Sequence, residues 1–330
     1  MKKIVTIFEN LEQIHLKKDV GMVPYSINIE NEYDTELWAT SKSFSDETFE
    51  KQVCIKFIHP FRNRKINKII LFLHVLFHIK KIDILILFHP TRDKYILSFL
   101  AKLLNKNIVT IIKMDTNELT AYEFSKQNNT LLNFFAKKGV DYFTIETKNT
   151  LDILIDRKPF KNKISYLPNG FSADKVYDLS IPKEKMIISV GRIGTPQKNS
   201  ELLLSAIKQL DNLNGYKFYF IGPIEPTFQK AVNTLFVKRK DLRNRIILTG
   251  NITSKDELFS YYQRAEIVCF SSIYEGFSLA MIEACYFGCY LLSTDLGGAY
   301  DITNNGQNGR IVEINKYFID ELREKILIIL

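Results

Sequence analysis

Short runs of β-branched and aromatic residues recur along this chain, each followed by a longer stretch with helical spacing, and the series starts twice. In the first series the predicted strands are Lys3–Phe8, Thr35–Ala39, Val53–Phe57, Asp83–Phe88, Ile108–Ile112 and Tyr142–Ile145. Helical patterns cover Lys65–Lys80, Asp93–Leu104 and Leu131–Lys138. The rhythm restarts at Ile164–Leu167, where Pro168, Asn169 and Gly170 mark a turn, and a polar passage, Ser172–Glu184, follows. The second series predicts strands at Met186–Val190, Lys217–Ile221, Arg245–Leu248, Ile267–Ser271 and Tyr290–Ser293, separated by helices. Strands that alternate with helices of this length build parallel sheets, because each crossover must return the chain to the same edge. The expected architecture is α/β: two Rossmann-like domains, 1–165 and 166–330, with parallel sheets facing across a cleft. Ligands of such sheets bind at the carboxyl ends of the strands, which makes that cleft the expected site.

Bulk properties narrow the setting. The 330 residues are 46% hydrophobic and 25% charged, enough for two cores in a soluble chain. The start, MKKIVTIF, runs directly into Glu9 and Glu12 and does not read as a leader. The longest apolar stretch, Ile69–Ile79, is broken by His74 and His78 and falls short of the roughly 20 residues that span a bilayer. It reads first as a core helix. Interfacial contact with an anionic membrane is the second reading, favoured by Arg62, Arg64, Lys65, Lys80 and Lys81 nearby. Four irregularly spaced cysteines imply a reducing cytoplasm rather than a disulfide framework, and the expected location is cytoplasmic or the inner face of a membrane. The pairs Cys285/Cys289 and His74/His78 lack further ligands in sequence, so no metal site is expected. Residues 1–170 hold 26 Lys+Arg against 19 Asp+Glu. That basic balance suits a membrane surface or a phosphate-bearing acceptor, and no recognition motif for nucleic acid accompanies it.

The chemistry concentrates in the second half. Glu275-Gly276-Phe277-Ser278-Leu279 leads from a strand into a helix that carries Glu283 two turns on. Gly276 permits a tight turn and Ser278 suits a helix start, where exposed amides and the helix dipole favour a phosphate. One carboxylate can then face the sugar side of a bound diphosphate and the other its nucleoside side. Gly191-Arg192 follows the first strand of the second half, with Lys198 in the same loop. A glycine turn bearing two cations suits a diphosphate whose charge grows as its bond to sugar breaks. Asp295-Leu296-Gly297-Gly298 ends another strand and allows close backbone approach. Each element also has an ordinary reading, as an acidic helix start, a solvated cation or a turn. Neither GxGxxG nor a Walker loop occurs, which removes the main support for nicotinamide or P-loop chemistry.

In this order the elements closely resemble the second domain of retaining glycosyltransferases of family 4, which have the GT-B fold. The resemblance runs from Asn169-Gly170 through Gly191-Arg192, Lys198, Glu275, Glu283 and Gly297-Gly298 to Asn305-Gly306-Gln307-Asn308-Gly309. It implies a nucleoside-diphosphate sugar as donor substrate, with no cofactor and no essential metal. It further implies that Glu275 contacts the donor sugar, Glu283 the ribose, Arg192 and Lys198 the diphosphate, and the amides near Phe277–Leu279 a phosphate. It implies as well that the product keeps its anomeric configuration and that the acceptor is a glycan or a lipid-linked sugar in cell-surface polysaccharide synthesis. The second domain would then bind the donor and the first the acceptor.

The chain departs from the family pattern in its first half. Where many members have a glycine-rich loop after the first strand, this chain reads Asn10-Leu11-Glu12-Gln13-Ile14-His15. Where many have a histidine near the reacting centre, it has Lys113-Met114-Asp115, with Asp115 or Lys113 the expected substitute. His89, after its strand, reads either as an acceptor contact or as a packing residue. Asn199 stands where glycine is usual, and Asp301 where glutamate is common. The same fold also accommodates a sugar-nucleotide epimerase, a phosphorylase or a non-catalytic subunit that partners an active transferase.

Overall fold

The computed structural model describes residues 1–29, 32–40, 44–58, 61–126, 129–171, 176–211, 213–313 and 318–329. Part of the polar passage Ser172–Glu184, residues 172–175, lies outside that set, as does Leu330. The chain forms two compact units, Met1–Gly170 and Phe171–Leu330. The division falls five residues later than the sequence rhythm suggested because the short strand Ile164–Tyr166 pairs with Tyr142–Ile145 and completes the first sheet.

The first unit is built on β1 (Lys2–Ile7), β2 (Tyr33–Ala39), β3 (Cys54–Phe57), β4 (Ile84–Phe88), β5 (Val109–Lys113), β6 (Tyr142–Ile145) and β7 (Ile164–Tyr166). All pair in parallel, in the order β3-β2-β1-β4-β5-β6-β7. Alternate residues serve opposite faces. Val5, Ile7, Leu85, Leu87 and Phe143 pack on one side with Leu71, Val75 and Leu97 from helices Arg64–His78 and Arg92–Leu104. Ile4, Ile86 and Phe88 pack on the other with Leu16, Val20 and Phe49. Covered on both faces, the central strands are apolar almost throughout rather than alternating.

The second unit repeats the plan with β8 (Glu184–Val190), β9 (Lys217–Ile221), β10 (Ile246–Gly250), β11 (Ala265–Phe270), β12 (Tyr290–Thr294) and β13 (Gly309–Val312). Its order is β10-β9-β8-β11-β12-β13, again parallel. Ile187, Phe218, Phe220, Ile267 and Leu292 face one layer of helices, and Met186, Ile188, Val268, Phe270 and Leu291 face the other. In a parallel sheet every carboxyl end lies at one edge. The direction of strand addition reverses beside β1 in the first unit and beside β8 in the second, so the β1/β4 and β8/β11 pairs are topological switch points. There the outgoing loops diverge and open a crevice.

One helix departs from its expected role. Arg64–His78 buries Leu71 and Val75, but Ile69, Leu73 and Phe77 are exposed by 61%, 58% and 85%. The stretch is therefore core on one side only. No helix among the described residues is long and apolar enough to cross a membrane.

Candidate active site

At the β8/β11 switch point the cation loop and the acidic loop are tied together. β8 ends at Val190, and Gly191, with φ near +150°, begins a loop that returns into the helix Ser200–Lys208. Gly191 leaves room for a specific neighbour, since a Cβ there would lie 2.8 Å from Cε of Lys198. The lysine crosses that gap and places Nζ 2.5 Å from Oε1 of Glu275. Both side chains are largely buried, at 16% and 12% exposure. Asn199, the expected glycine position, has φ of +50° just before the helix. The loop requires a left-handed residue there, and asparagine is among the side chains that tolerate it best.

Further bonds fix Glu275. Ser272 Oγ donates to Oε1 at 2.9 Å, and Gln197 Nε2 reaches Oε2 at 3.5 Å and the Tyr274 carbonyl at 3.2 Å. Arg192 Nη2 donates to Gln197 Oε1 at 2.7 Å. Backbone bonds from Ile273 N to Gln197 O and from Ser271 Oγ to Lys198 O, both 2.9 Å, lock the two loops. Both cations are thus drawn to the segment that leads into the helix Leu279–Tyr286. Ser278 adopts extended N-cap geometry, but its side chain makes no capping bond. The first-turn amides therefore lack the side-chain acceptor that usually satisfies them, as suits an incoming anion. Phe277 packs close to Gly298, where a Cβ would stand 3.1 Å from its ring, so the Asp295–Gly298 loop meets the same corner. Asn304, Asn305 and Gly306 take left-handed backbone and form the turn into β13.

Glu283 sits deeper, beside Tyr262 on the helix Lys255–Arg264. Burial raises its carboxyl to about 7, against the opposing pull of Lys255 and the Tyr262 hydroxyl. A carboxyl so desolvated gains most from hydrogen-bond donors that favour its charged form. Cys285 and Cys289 face different partners: the sulfurs contact the Ile302 and Tyr262 carbonyls respectively. Among the described residues no group of three or more His, Cys, Asp or Glu is arranged to hold a metal ion.

The carboxyl edge of the first sheet is a second polar focus. β4 and β5, which pair with each other, run out into His89 and Asp115, exposed residues with φ of +64° and +41°. Such backbone is costly for a side chain with a Cβ and marks a place where the surroundings impose it. His89 N donates to the Lys113 carbonyl at 2.9 Å, and its ring lies 6.3 Å from that of Phe8. Lys113, 3% exposed, turns inward: Nζ pairs with Glu146 and stands 3.5 Å from Oδ2 of Asp19. Glu146 Oε1 also accepts from Asp115 N at 3.3 Å. Burial raises both Asp19 and Glu146, while Lys113 pulls them down. Of the two residues named for this turn, Asp115 is presented to solvent, and Lys113 is held inside by two carboxylates. A cavity of about 440 Å³ opens nearby, lined by Ile7, Glu9, Leu71, Phe72, Lys94 and Leu97.

Sequence reasoning missed Gln197, Ser272, Tyr262, Asp19 and Glu146. Gln197 adjoins Lys198, but nothing in the pattern marked it. Ser272 lies only three residues before Glu275 but reads as the end of a strand, and Tyr262, Asp19 and Glu146 lie far along the chain from the residues they support.

Two parallel-sheet, Rossmann-like units of this kind are those of the GT-B fold, and solved structures share that fold. The chain covers 99% of itself and 87% of a glycosyltransferase from Rickettsia africae, with a TM-score of 0.74 and 18% identity. Against Anabaena Alr3699/HepE in complex with UDP and glucose the figures are 99% and 89%, a TM-score of 0.66 and 15% identity. Residues 174–330, most of the second unit, match the family described as glycosyl transferases group 1. A relative in Campylobacter jejuni is GalNAc-alpha-(1->4)-GalNAc-alpha-(1->3)-diNAcBac-PP-undecaprenol alpha-1,4-N-acetyl-D-galactosaminyltransferase, 30% identical over 46% of this chain. The chain spans 40% of that enzyme and 40–52% of the first three such relatives.

Proposed function

We propose that the chain is a retaining glycosyltransferase. It moves a sugar from a nucleoside-diphosphate donor to a glycan or lipid-linked acceptor, in cell-surface polysaccharide synthesis at the cytoplasmic face of a membrane. The observation that carries this reading is the Lys198–Glu275 pair, clamped by Gln197 and Ser272 in front of a helix N-terminus. A diphosphate leaving group gains negative charge as the glycosidic bond lengthens. Lys198, Arg192 and the first amides of the helix Leu279–Tyr286 are fixed before that charge develops, so little reorganisation is needed to meet it. They supply the positive charge that a metal ion would otherwise bring, and the scheme needs none. On donor binding Lys198 exchanges Glu275 for phosphate oxygens, and Glu275 is released to accept from sugar hydroxyls. Glu283 takes the ribose hydroxyls. Asp115 and His89 serve the acceptor side. The relatives support the class: the Campylobacter enzyme is named for a diphospho-undecaprenol-linked substrate, and the Anabaena structure holds UDP.

A pH titration tests the role of Glu283. Its folded pKa is raised from 4.5 to about 7, so the free protein is most stabilised by this group below its ordinary pKa. That contribution is lost as pH climbs through 7. Ribose hydroxyls donate to the carboxylate, so nucleotide binding should release a proton and tighten between pH 5.5 and 7, then level off. Glu283→Gln should bind more weakly and lose this dependence, keeping only the titration of the phosphates themselves. Equal affinity and an identical pH profile in calorimetry of both proteins would remove Glu283 from the site. An inverted anomeric centre in the product would overturn retention.

A further inference from the structure

Helix Arg64–His78 is apolar on two sides, one of them exposed. Its buried face carries Asn67, Leu71 and Val75, with His74 and His78 half-buried against Trp38. Asn67 is satisfied by the backbone of Phe61, its side chain accepting at 3.1 Å and donating at 2.6 Å. The opposite face should be polar in a helix that lies on a protein surface. Instead it presents Ile66, Ile69, Leu73 and Phe77, spaced three and four residues apart and exposed by 42%, 61%, 58% and 85%. Phe61, just before the helix, is 56% exposed. The helix therefore carries a second apolar stripe opposite the one that Leu71, Phe72, Val75 and Leu76 turn to the core, and at its edge Ile69 also lines the cavity beside Leu71 and Leu97.

The charges around the stripe are of one sign. From Lys51 to Ile82 the chain has eight Lys or Arg and no Asp or Glu. Arg62, Arg64, Lys65 and Lys68 lie at one end of the helix and Lys80 and Lys81 at the other, all exposed. An apolar ridge with cations at both ends fits a bilayer: the ridge enters the boundary between headgroups and acyl chains while the cations meet anionic headgroups. A second copy docked on the same ridge about a twofold axis would set these cations against one another with no acid in the segment to offset them.

We infer that this face docks the protein on a bilayer containing anionic lipid, through Ile69, Leu73 and Phe77 in the acyl boundary and the flanking lysines and arginines on headgroups. The inference deepens the reading of a lipid-linked acceptor, and it rests on that reading only for its purpose. Docking requires neither donor nor acceptor.

The test is co-sedimentation of the full chain with extruded vesicles of phosphatidylcholine containing 30 mol% phosphatidylglycerol, and with phosphatidylcholine alone, without any nucleotide sugar. The expected result is binding to the anionic vesicles that weakens in 0.5 M salt. It should fall at least about tenfold in Leu73→Ser/Phe77→Ser and by a similar factor in Lys65→Glu/Lys68→Glu, in line with the contributions of buried apolar groups and surface cations. All four residues are exposed, and unchanged thermal melting checks that the variants fold. Absence of vesicle binding, or binding equal in wild type and both variants, overturns the inference. Concentration-dependent dimerisation that Leu73→Ser/Phe77→Ser abolishes, with no vesicle binding, assigns the face to a second copy and overturns it too. Vesicle binding without nucleotide sugar is read independently of sugar transfer, so failure here leaves the proposed donor site in the second unit untouched.

Discussion

Replacing Lys198 with alanine is expected to lower kcat for sugar transfer by roughly 10²–10³-fold, the cost of removing one preorganised group from a developing negative charge. The lysine is held for that task. It crosses the space left by Gly191, lies 2.5 Å from Glu275, and opens from a loop whose backbone is bonded to the acidic loop. The fold should survive the change. Glu275 keeps its bonds from Ser272 and Gln197 and is not sealed from water, so it is not left as an isolated buried charge. The discriminating pattern is a large loss in kcat with a melting temperature within a few degrees of wild type. Lys198→Arg should recover little, because the space above Gly191 is shaped to a single linear chain. Full activity in Lys198→Ala would sink the proposed role.

The largest effect on stability is expected at the other polar focus. Lys113→Met should destabilise the first unit by roughly 3–5 kcal/mol, the usual cost of removing one partner from a buried ion pair. Lys113 lies between Glu146, 1% exposed, and Asp19, and without it two carboxyls remain in a desolvated corner. In a unit of this size that corresponds to a fall in melting temperature on the order of 10 °C. The sign of the pH dependence follows from the same groups. Both carboxyls already have raised folded pKa values, and removing Lys113 raises them further. Stability that depends on their protonation is present at low pH and lost as pH rises through the folded values. The deficit of the variant should therefore be greatest at pH 7–8 and shrink toward pH 4.5. A pH-independent deficit would mean that the loss is one of packing alone. The network also fixes Asp115 through the bond from its amide to Glu146, so the same variant should weaken whatever Asp115 contacts.

Much of the fold was legible because strands covered on both faces must be apolar throughout, and β-branched runs such as Ile4–Ile7 and Ile84–Phe88 stand out from the helices between them. The helix Asp19–Ile29 was not, since Gly21 and Pro24 fall inside it and read as breakers. β13 was hidden in four residues after a string of turn formers. Strand order could not be read at all, as every crossover looks alike in sequence. The loops proposed to bind the donor stood out because diphosphate chemistry needs particular residues at strand ends. Lys198 with Glu275, and Glu283, carry that signal locally. Their supports do not: Ser272 reads as the end of a strand although it is only three residues from Glu275, and Tyr262 is an ordinary core residue until the fold brings it to Glu283. The same limit explains Lys113, whose partners lie 94 residues before and 33 after it. Helix Arg64–His78 shows a third kind of limit. An apolar stretch records how hydrophobic a helix is, but which face meets the core depends on its rotation, and here Asn67 and two histidines are turned inward.

In the proposed function the second unit holds a diphosphate between the Arg192–Lys198 loop and the start of the helix Leu279–Tyr286. Thermal melting with UDP, GDP, ADP, CDP and dTDP in turn measures this directly, because a ligand bound only by the native state stabilises it by about 2.7 kcal/mol at a hundred times its Kd. The expected result is a rise of several degrees with at least one of these nucleotides, abolished in Arg192→Ala/Lys198→Ala. Melting that no nucleoside diphosphate shifts, or a shift that persists undiminished in the double variant, would contradict it.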